Sequence, residues 1–177
     1  LLTRWQLNSG LLLSANLRQA FVTRFRPPFT PSLGIEYPFI RGEQYSLKLR
    51  GSVARSYRVP TLNERYWKVL GTPDIKPESG LNKEVGIEQT FVLNNQHAFT
   101  LNATVYHNRI KNWTYWNPGQ SFKVENLQEV LARGLELQAS WAGNFGLLKV
   151  GARGGYNYTK STQEKVYDAY AVDIVGK

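Results

Sequence analysis

His97 and His107 are the side chains here with the widest chemical range, and they stand ten positions apart. Metal ligation needs a tighter spacing, such as His-x-x-x-His on one helix face, so each reads as a turn or interface residue. Cysteine is absent, which removes thiol catalysis, disulfides and thiolate metal sites from this chain. No Gly-x-Ser-x-Gly elbow or phosphate-binding glycine loop occurs. Glu84 and Glu88 share one side of an alternating segment, the arrangement a glycosidase uses for its acid and base. Carboxylates on a solvated wall are the commoner reason for such a pair. Gly151-Ala-Arg-Gly-Gly155 lacks the dinucleotide fingerprint and falls inside a strand, where glycine relieves crowding. The expectation is therefore no enzyme, no metal and no cofactor.

Aromatic rings remain. Tyr66, Trp67, Trp113, Tyr115 and Trp116 fall in two stretches that read as loops. Flat rings stack on large ligands at low entropic cost, so these five are the candidate ligand contacts. The competing reading is a girdle at a membrane interface, which uses the same residue types.

These residues are positioned by strands. The dominant signal is period-two alternation. Val85, Ile87, Phe91 and Leu93 alternate with Glu84, Gly86, Glu88 and Thr90; Asn94-Asn95-Gln96 makes a hairpin turn; Phe99, Leu101, Ala103 and Val105 then alternate with Thr100, Asn102, Thr104 and Tyr106. The pattern returns over 134–141, 148–158 and 45–53, and more weakly near 3–14 and 30–38, where Pro27, Pro28 and Pro31 place the start after the prolines. About seven strands are predicted, in an all-β, antiparallel, up-and-down meander. Residues 39–43, 94–96 and 142–146 read as short turns; 15–29, 57–80, 111–123 and 161 onward read as long connections. Long strands with long loops at one end only are what a transmembrane barrel shows.

Bulk properties agree. Hydrophobic residues make up 42% and charged residues 20%, which excludes disorder. Aromatics reach 13% and glycines number 15, favouring β-structure. No run of about 18 apolar residues exists, so no helix spans a membrane, but barrel strands need only about 10 residues with alternate positions facing lipid. The net charge of +9 comes from 22 scattered basic residues with no run of five, which argues against nucleic acid. One strand face carries Lys48, Arg50, Glu84, Glu88, Glu136 and Arg153, which must meet water. The other carries aliphatic residues, with Trp5, Tyr45, Trp141, Tyr156 and Tyr158 near strand ends.

The run Ser52-Val-Ala-Arg-Ser-Tyr-Arg-Val-Pro-Thr-Leu-Asn-Glu-Arg-Tyr66 resembles a signature of TonB-dependent outer-membrane receptors, in which an Arg-x-Pro element (Arg58, Pro60) leads into Leu-x-Glu-x-Tyr (Glu64, Tyr66). Gly71-Thr-Pro-Asp-Ile-Lys-Pro-Glu78 resembles that family's Asn-Pro-x-Leu-x-Pro-Glu motif through Pro77 and Glu78. Glu84-Val85-Gly86-Ile87-Glu88, Tyr106 to Asn112, and Asn126 with Gly134-Leu135-Glu136 are similar to the elements that follow. The motif residues are expected to serve barrel architecture rather than ligand contact, with Glu78 and Glu84 pairing with Arg55 or Arg58. The Leu62-to-Trp67 stretch looks closer to cobalamin and siderophore receptors than to glycan importers.

The resemblance implies an outer-membrane receptor that takes up a scarce nutrient, energised by the TonB complex through an N-terminal plug inside a barrel of about 22 strands. Residues 1–177 are then expected to be a piece of the barrel, with leader, plug and final strands outside it. Outer-membrane lipid and the nutrient are the expected partners, nucleic acid is not, and the isolated piece is expected to self-associate through its open edges. The alternative is a soluble carbohydrate-binding or adhesin sheet, which requires the Val85, Ile87 and Phe91 face to pack on a second sheet.

Overall fold

The computed structural model describes residues 1–22 and 27–165. They form one antiparallel sheet of eight strands in sequence order. The strands are β1 (Leu2–Gln6), β2 (Leu12–Arg18), β3 (Thr30–Arg41), β4 (Tyr45–Arg58), β5 (Glu78–Leu93), β6 (His97–Asn117), β7 (Lys123–Phe145) and β8 (Leu148–Lys165), with a five-residue helix α1 (Leu62–Tyr66) between β4 and β5.

Eight strands replace the expected seven because residues 3–14 are a hairpin. Gly10 takes φ +81° and donates its N–H to the Leu7 carbonyl, which turns the chain. Pro31 lies one residue inside β3 rather than before it, opposite Leu17, and Pro38 sits beside a bulge between Pro38 and Ile40. Near a strand end or a bulge a missing N–H interrupts little of the ladder. The turn after β3 is therefore 42–44. Asn94 and Asn95 both adopt positive φ, and the Gln96 N–H reaches the Leu93 carbonyl, the primed turn that matches strand twist. The last short turn is confined to 146–147, after Phe145.

The largest departure concerns 111–123. Instead of a long loop, the β6–β7 ladder continues to Asn117 opposite Lys123. Trp113, Thr114, Tyr115, Trp116 and Val124 are aromatic or β-branched and suit a pleated surface, so pairing extends through them. The chain reverses in a 3-10 turn at Pro118–Gln120, where the Asn117 side chain accepts the Gly119 N–H. One end of the sheet thus carries the turns 7–11, 42–44, 94–96 and 146–147. The other carries 59–77, 118–122 and the described residues 19–22 and 27–29. The connection expected from 161 onward is strand to Lys165, and its remainder lies outside the described residues.

Directly opposed residues share a face of the sheet. One face holds the row Glu36, Arg50, Gly86, Thr104, Glu136 and Asn157. The other holds the row Ile35, Gly51, Val85, Val105, Leu135 and Tyr158. On the polar face Lys48 bridges Glu36 at 3.6 Å and Glu88 at 3.1 Å. On the apolar face Val85 is 62% exposed and Val105 52%. No second sheet covers it among the described residues. Each large apolar side chain left in water forgoes about 1.5–3 kcal/mol. A whole face of them exceeds the ~5–15 kcal/mol that holds an ordinary domain together. Tyr45, Phe91, Phe99 and Trp141 close this face at the short-turn end as one aromatic row, with Tyr45 and Phe91 centroids 4.9 Å apart.

Candidate functional site

At the long-loop end the polypeptide folds onto itself. Apolar burial among the described residues is concentrated there, with Val124 at 0% and Ile75 at 4% exposure. The segment 59–77 starts at Arg58, turns at the buried Pro60, and enters α1 through a capping box. Thr61 Oγ1 accepts the Glu64 N–H at 3.3 Å, and Glu64 Oε2 accepts the Thr61 N–H at 2.7 Å. Arg58 Nη1 donates to both Glu64 oxygens at 3.0 Å, and its Nη2 donates to Glu78 Oε1 at 2.5 Å. Glu78 Oε1 also accepts the Thr114 N–H at 2.8 Å. One guanidinium therefore ties the end of β4 to the helix, and through Glu78 to the start of β5 and the extension of β6. Its planar fork suits two carboxylates at once, which an ammonium does not.

Burial by itself would push the Glu78 carboxyl up; the hydrogen bonds from Arg58 and from the Thr114 N–H, with the guanidinium charge, outweigh it and hold the group below the usual carboxylate range. Arg58 is raised above its ordinary value by its hydrogen bond to Glu78, against the opposing effect of burial.

A second clamp joins the segment to β7. The Asn126 side chain accepts the Lys76 N–H at 2.8 Å and donates to the Lys76 carbonyl at 3.1 Å and the Asn112 carbonyl at 2.8 Å. Asn112 donates to the Pro77 carbonyl at 3.1 Å. Thr72 Oγ1 donates to the Val124 carbonyl at 2.5 Å, and the Val124 N–H to the Leu70 carbonyl at 2.8 Å.

Arg58, Pro60, Glu64, Pro77 and Glu78 thus meet in one polar knot. Glu84 pairs with neither Arg55 nor Arg58: it is opposite Ser52, while Arg55 is opposite Leu81 on the other face. Glu84 and Glu136 are exposed on the polar face, without an ion pair among the described residues. Gly86 and Gly134 admit side chains that cross the wall. A Cβ on Gly86 would lie 2.8 Å from Arg50 Nε, and Arg50 reaches past it to Thr104 Oγ1 at 3.1 Å. A Cβ on Gly134 would run into the Tyr158 carbonyl and lie 2.5 Å from the Tyr106 hydroxyl.

The five candidate rings do not form one patch. Trp67 and Trp116 meet edge to face, centroids 5.9 Å apart at 76°. Tyr66 lies under the Arg65 guanidinium at 4.9 Å and is 54% exposed. Trp113 and Tyr115 make no ring contact among the described residues. Sequence reasoning missed Asn112, Thr114 and Asn126 as partners of this knot, because a backbone N–H or an amide 50 residues away leaves no local signal. The Thr61-Leu-Asn-Glu64 pattern is the one local signal that could have found α1, in a stretch read as a connection. The site offers rings, amides and a fixed charge cluster, which suits binding; among the described residues no group of three or more His, Cys, Asp or Glu comes together to hold a metal.

Residues 1–177 match the family described as TonB dependent receptor-like, beta-barrel. The chain belongs to that family. Among curated proteins it is similar to the vitamin B12 transporter BtuB of Vibrio vulnificus strain YJ016, 28% identical over 91 residues, 50% of this chain and 14% of that protein. The vitamin B12 transporter BtuB of Photobacterium profundum is 28% identical over 102 residues, 54% of this chain and 16% of that protein. BtuB of V. vulnificus strain CMCP6 is 27% identical over 108 residues, 61% of this chain and 16% of that protein. The matched stretch spans about one-seventh of the length of these relatives. In this TonB-dependent receptor barrel, the polar knot braces the long 59–77 connection and leaves Trp67 and Trp116 at its rim.

Proposed function

We propose that residues 1–177 form part of the barrel wall of a bacterial outer-membrane receptor that imports a scarce nutrient, with cobalamin as its cargo. The observation that carries the reading is the two-faced single sheet: an uncovered apolar face suits acyl tails, and a charged face suits a wet interior against a plug. Membership of the receptor family supports the transport class, and the names of the BtuB relatives favour cobalamin over a siderophore. Energy for import comes from the TonB complex acting through a plug domain, which the family resemblance implies.

Trp67 and Trp116, with Tyr66 beside them, contact the cargo at the extracellular rim; Trp113 and Tyr115 serve the membrane interface. Deleting the full-length gene is expected to abolish high-affinity uptake of radiolabelled cyanocobalamin and leave ferric-siderophore uptake intact. Loss of siderophore uptake instead overturns the cargo, and loss of neither overturns the transport role.

A further inference from the structure

The 59–77 connection does not stand away from the sheet. Arg58 and Glu78, at its two ends, oppose each other on the face that carries Arg50 and Gly86. From there the segment reaches past β6 to β7, two strands beyond the β4 end from which it starts. β7 has an edge to cover there. Its pairing with β6 continues to Lys123, whereas its pairing with β8 among the described residues stops at Glu129. The connection meets part of that edge. The Val124 N–H donates to the Leu70 carbonyl, the Val124 carbonyl accepts from Thr72 Oγ1, and Asn126 clasps both backbone groups of Lys76.

The same contacts fix two rings. Val124 is the direct cross-strand partner of Trp116, the ring that Trp67 touches. Trp67 is held through its own backbone: its N–H donates to the Asn63 carbonyl at 3.1 Å, and its carbonyl accepts the Gly71 N–H at 2.9 Å. A Cβ on Gly71 would lie 2.6 Å from the Trp67 nitrogen, so only glycine permits this approach. Segments that open readily bury few apolar contacts and leave their backbone hydrogen bonds to water. This one is tied at its start by Arg58 and Glu64, in its middle by Leu70 and Thr72, and at its end by Lys76 and Pro77. Lifting it would uncover Val124 and Ile75, the two least exposed apolar side chains among the described residues.

We propose that 59–77 is a fixed sill of the receptor's mouth rather than a lid, and that Asn126 is a positioning residue which, by holding Lys76 to β7, keeps Trp67 against Trp116 before cargo arrives. The inference rests on the reading of Trp67 and Trp116 as cargo contacts, and adds that the pair is formed in the empty receptor. A site that is competent only part of the time loses affinity in proportion to that fraction, and the loss falls on association.

The test uses the purified full-length receptor in detergent micelles. Hydrogen exchange is followed with and without cyanocobalamin, and binding kinetics by stopped flow. The amides of Trp67, Gly71, Lys76 and Val124 are expected to be protected in the empty receptor and unchanged by cyanocobalamin. Exchange at the rate of an open loop until cyanocobalamin is added overturns the sill. Asn126→Ala is expected to slow association about tenfold with dissociation unchanged. Asn126→Asp, which keeps the acceptor for the Lys76 N–H, recovers part of that rate. Unchanged association, or a loss confined to dissociation, overturns the positioning role. Thr72→Val, which removes only the hydrogen bond to the Val124 carbonyl, carries the same kinetic expectation should the Asn126 variants fail to fold. A receptor that binds no cyanocobalamin overturns the cargo reading, and exchange in the empty receptor still decides the sill.

Discussion

Arg58 shows how much one side chain can organise. Its guanidinium is shared between Glu64 and Glu78, so removing it leaves two largely buried carboxylates without a counter-charge, each held only by a backbone donor, the Thr61 N–H for Glu64 and the Thr114 N–H for Glu78. The Arg58 side chain is 42% exposed, which screens the pairs and argues for a modest cost. Arg58→Ala is expected to destabilise the 59–77 segment by about 1–2 kcal/mol, read as faster amide exchange there with the strands unchanged. Because the folded Glu78 carboxyl is held below its unfolded value, its contribution is fully present above the usual carboxylate range and lost as pH falls through the lowered folded value. Amide exchange in the segment should therefore accelerate only at pH values below that range; acceleration already near neutrality refutes this assignment. Gly134 gives a steric counterpart. Gly134→Ala forces a Cβ against the Tyr158 carbonyl, with an expected loss of about 1–3 kcal/mol in thermal unfolding. Gly154→Ala, where nothing lies within 4 Å, serves as the near-neutral comparison.

At the level of elements, the alternation of the strands makes a prediction that face assignment alone decides. Leu101 and Asn102 are adjacent on β6 and point to opposite faces. Leu101→Lys is expected to impede membrane insertion of the full-length protein, a penalty of about 2–4 kcal/mol near the bilayer centre, whereas Asn102→Lys is tolerated. The heat-modifiable mobility of the folded barrel on gels reads the difference, and equal behaviour of the two variants contradicts the assignment. The clamp between 59–77 and β7 belongs to this scale too. Asn126→Ala removes hydrogen bonds to Lys76 and Asn112 at once. Limited proteolysis is expected to cut the connection between β4 and β5 in that variant while the paired strands resist. Were the connection as protected as before, the clamp would not be what holds it.

For the whole molecule, the described sheet has two unpaired edges, β1 and β8, and one uncovered apolar face. Open edges recruit further strands. Residues 1–177 expressed alone are therefore expected to elute from a sizing column as oligomers, and to become smaller in detergent. A compact monomer in plain buffer contradicts the reading of the apolar face.

Period-two alternation in β5 to β8 was enough to place the strands, their order and their two faces, because a half-solvated strand repeats its environment every second residue and the signal is local. It misjudged 3–14, where Leu7 to Leu11 carries a turn inside an apolar stretch, and 111–123, where Trp113 to Trp116 are good strand formers that extend the hairpin. The Arg-x-Pro and Pro-Glu elements marked residues that matter and narrowed the partner of Glu78 to Arg55 or Arg58, but for the others not what they touch. Only tertiary structure decided that Arg58 serves Glu64 and Glu78, that Asn126 closes on Lys76 50 positions away, and that Trp67 meets Trp116. It also brought Lys83, His107, Arg133 and Lys160, scattered as single residues along the chain, into one row. The physical reason is register: period tells a residue which face it occupies, whereas its neighbours on that face are set by the length and geometry of every turn between them.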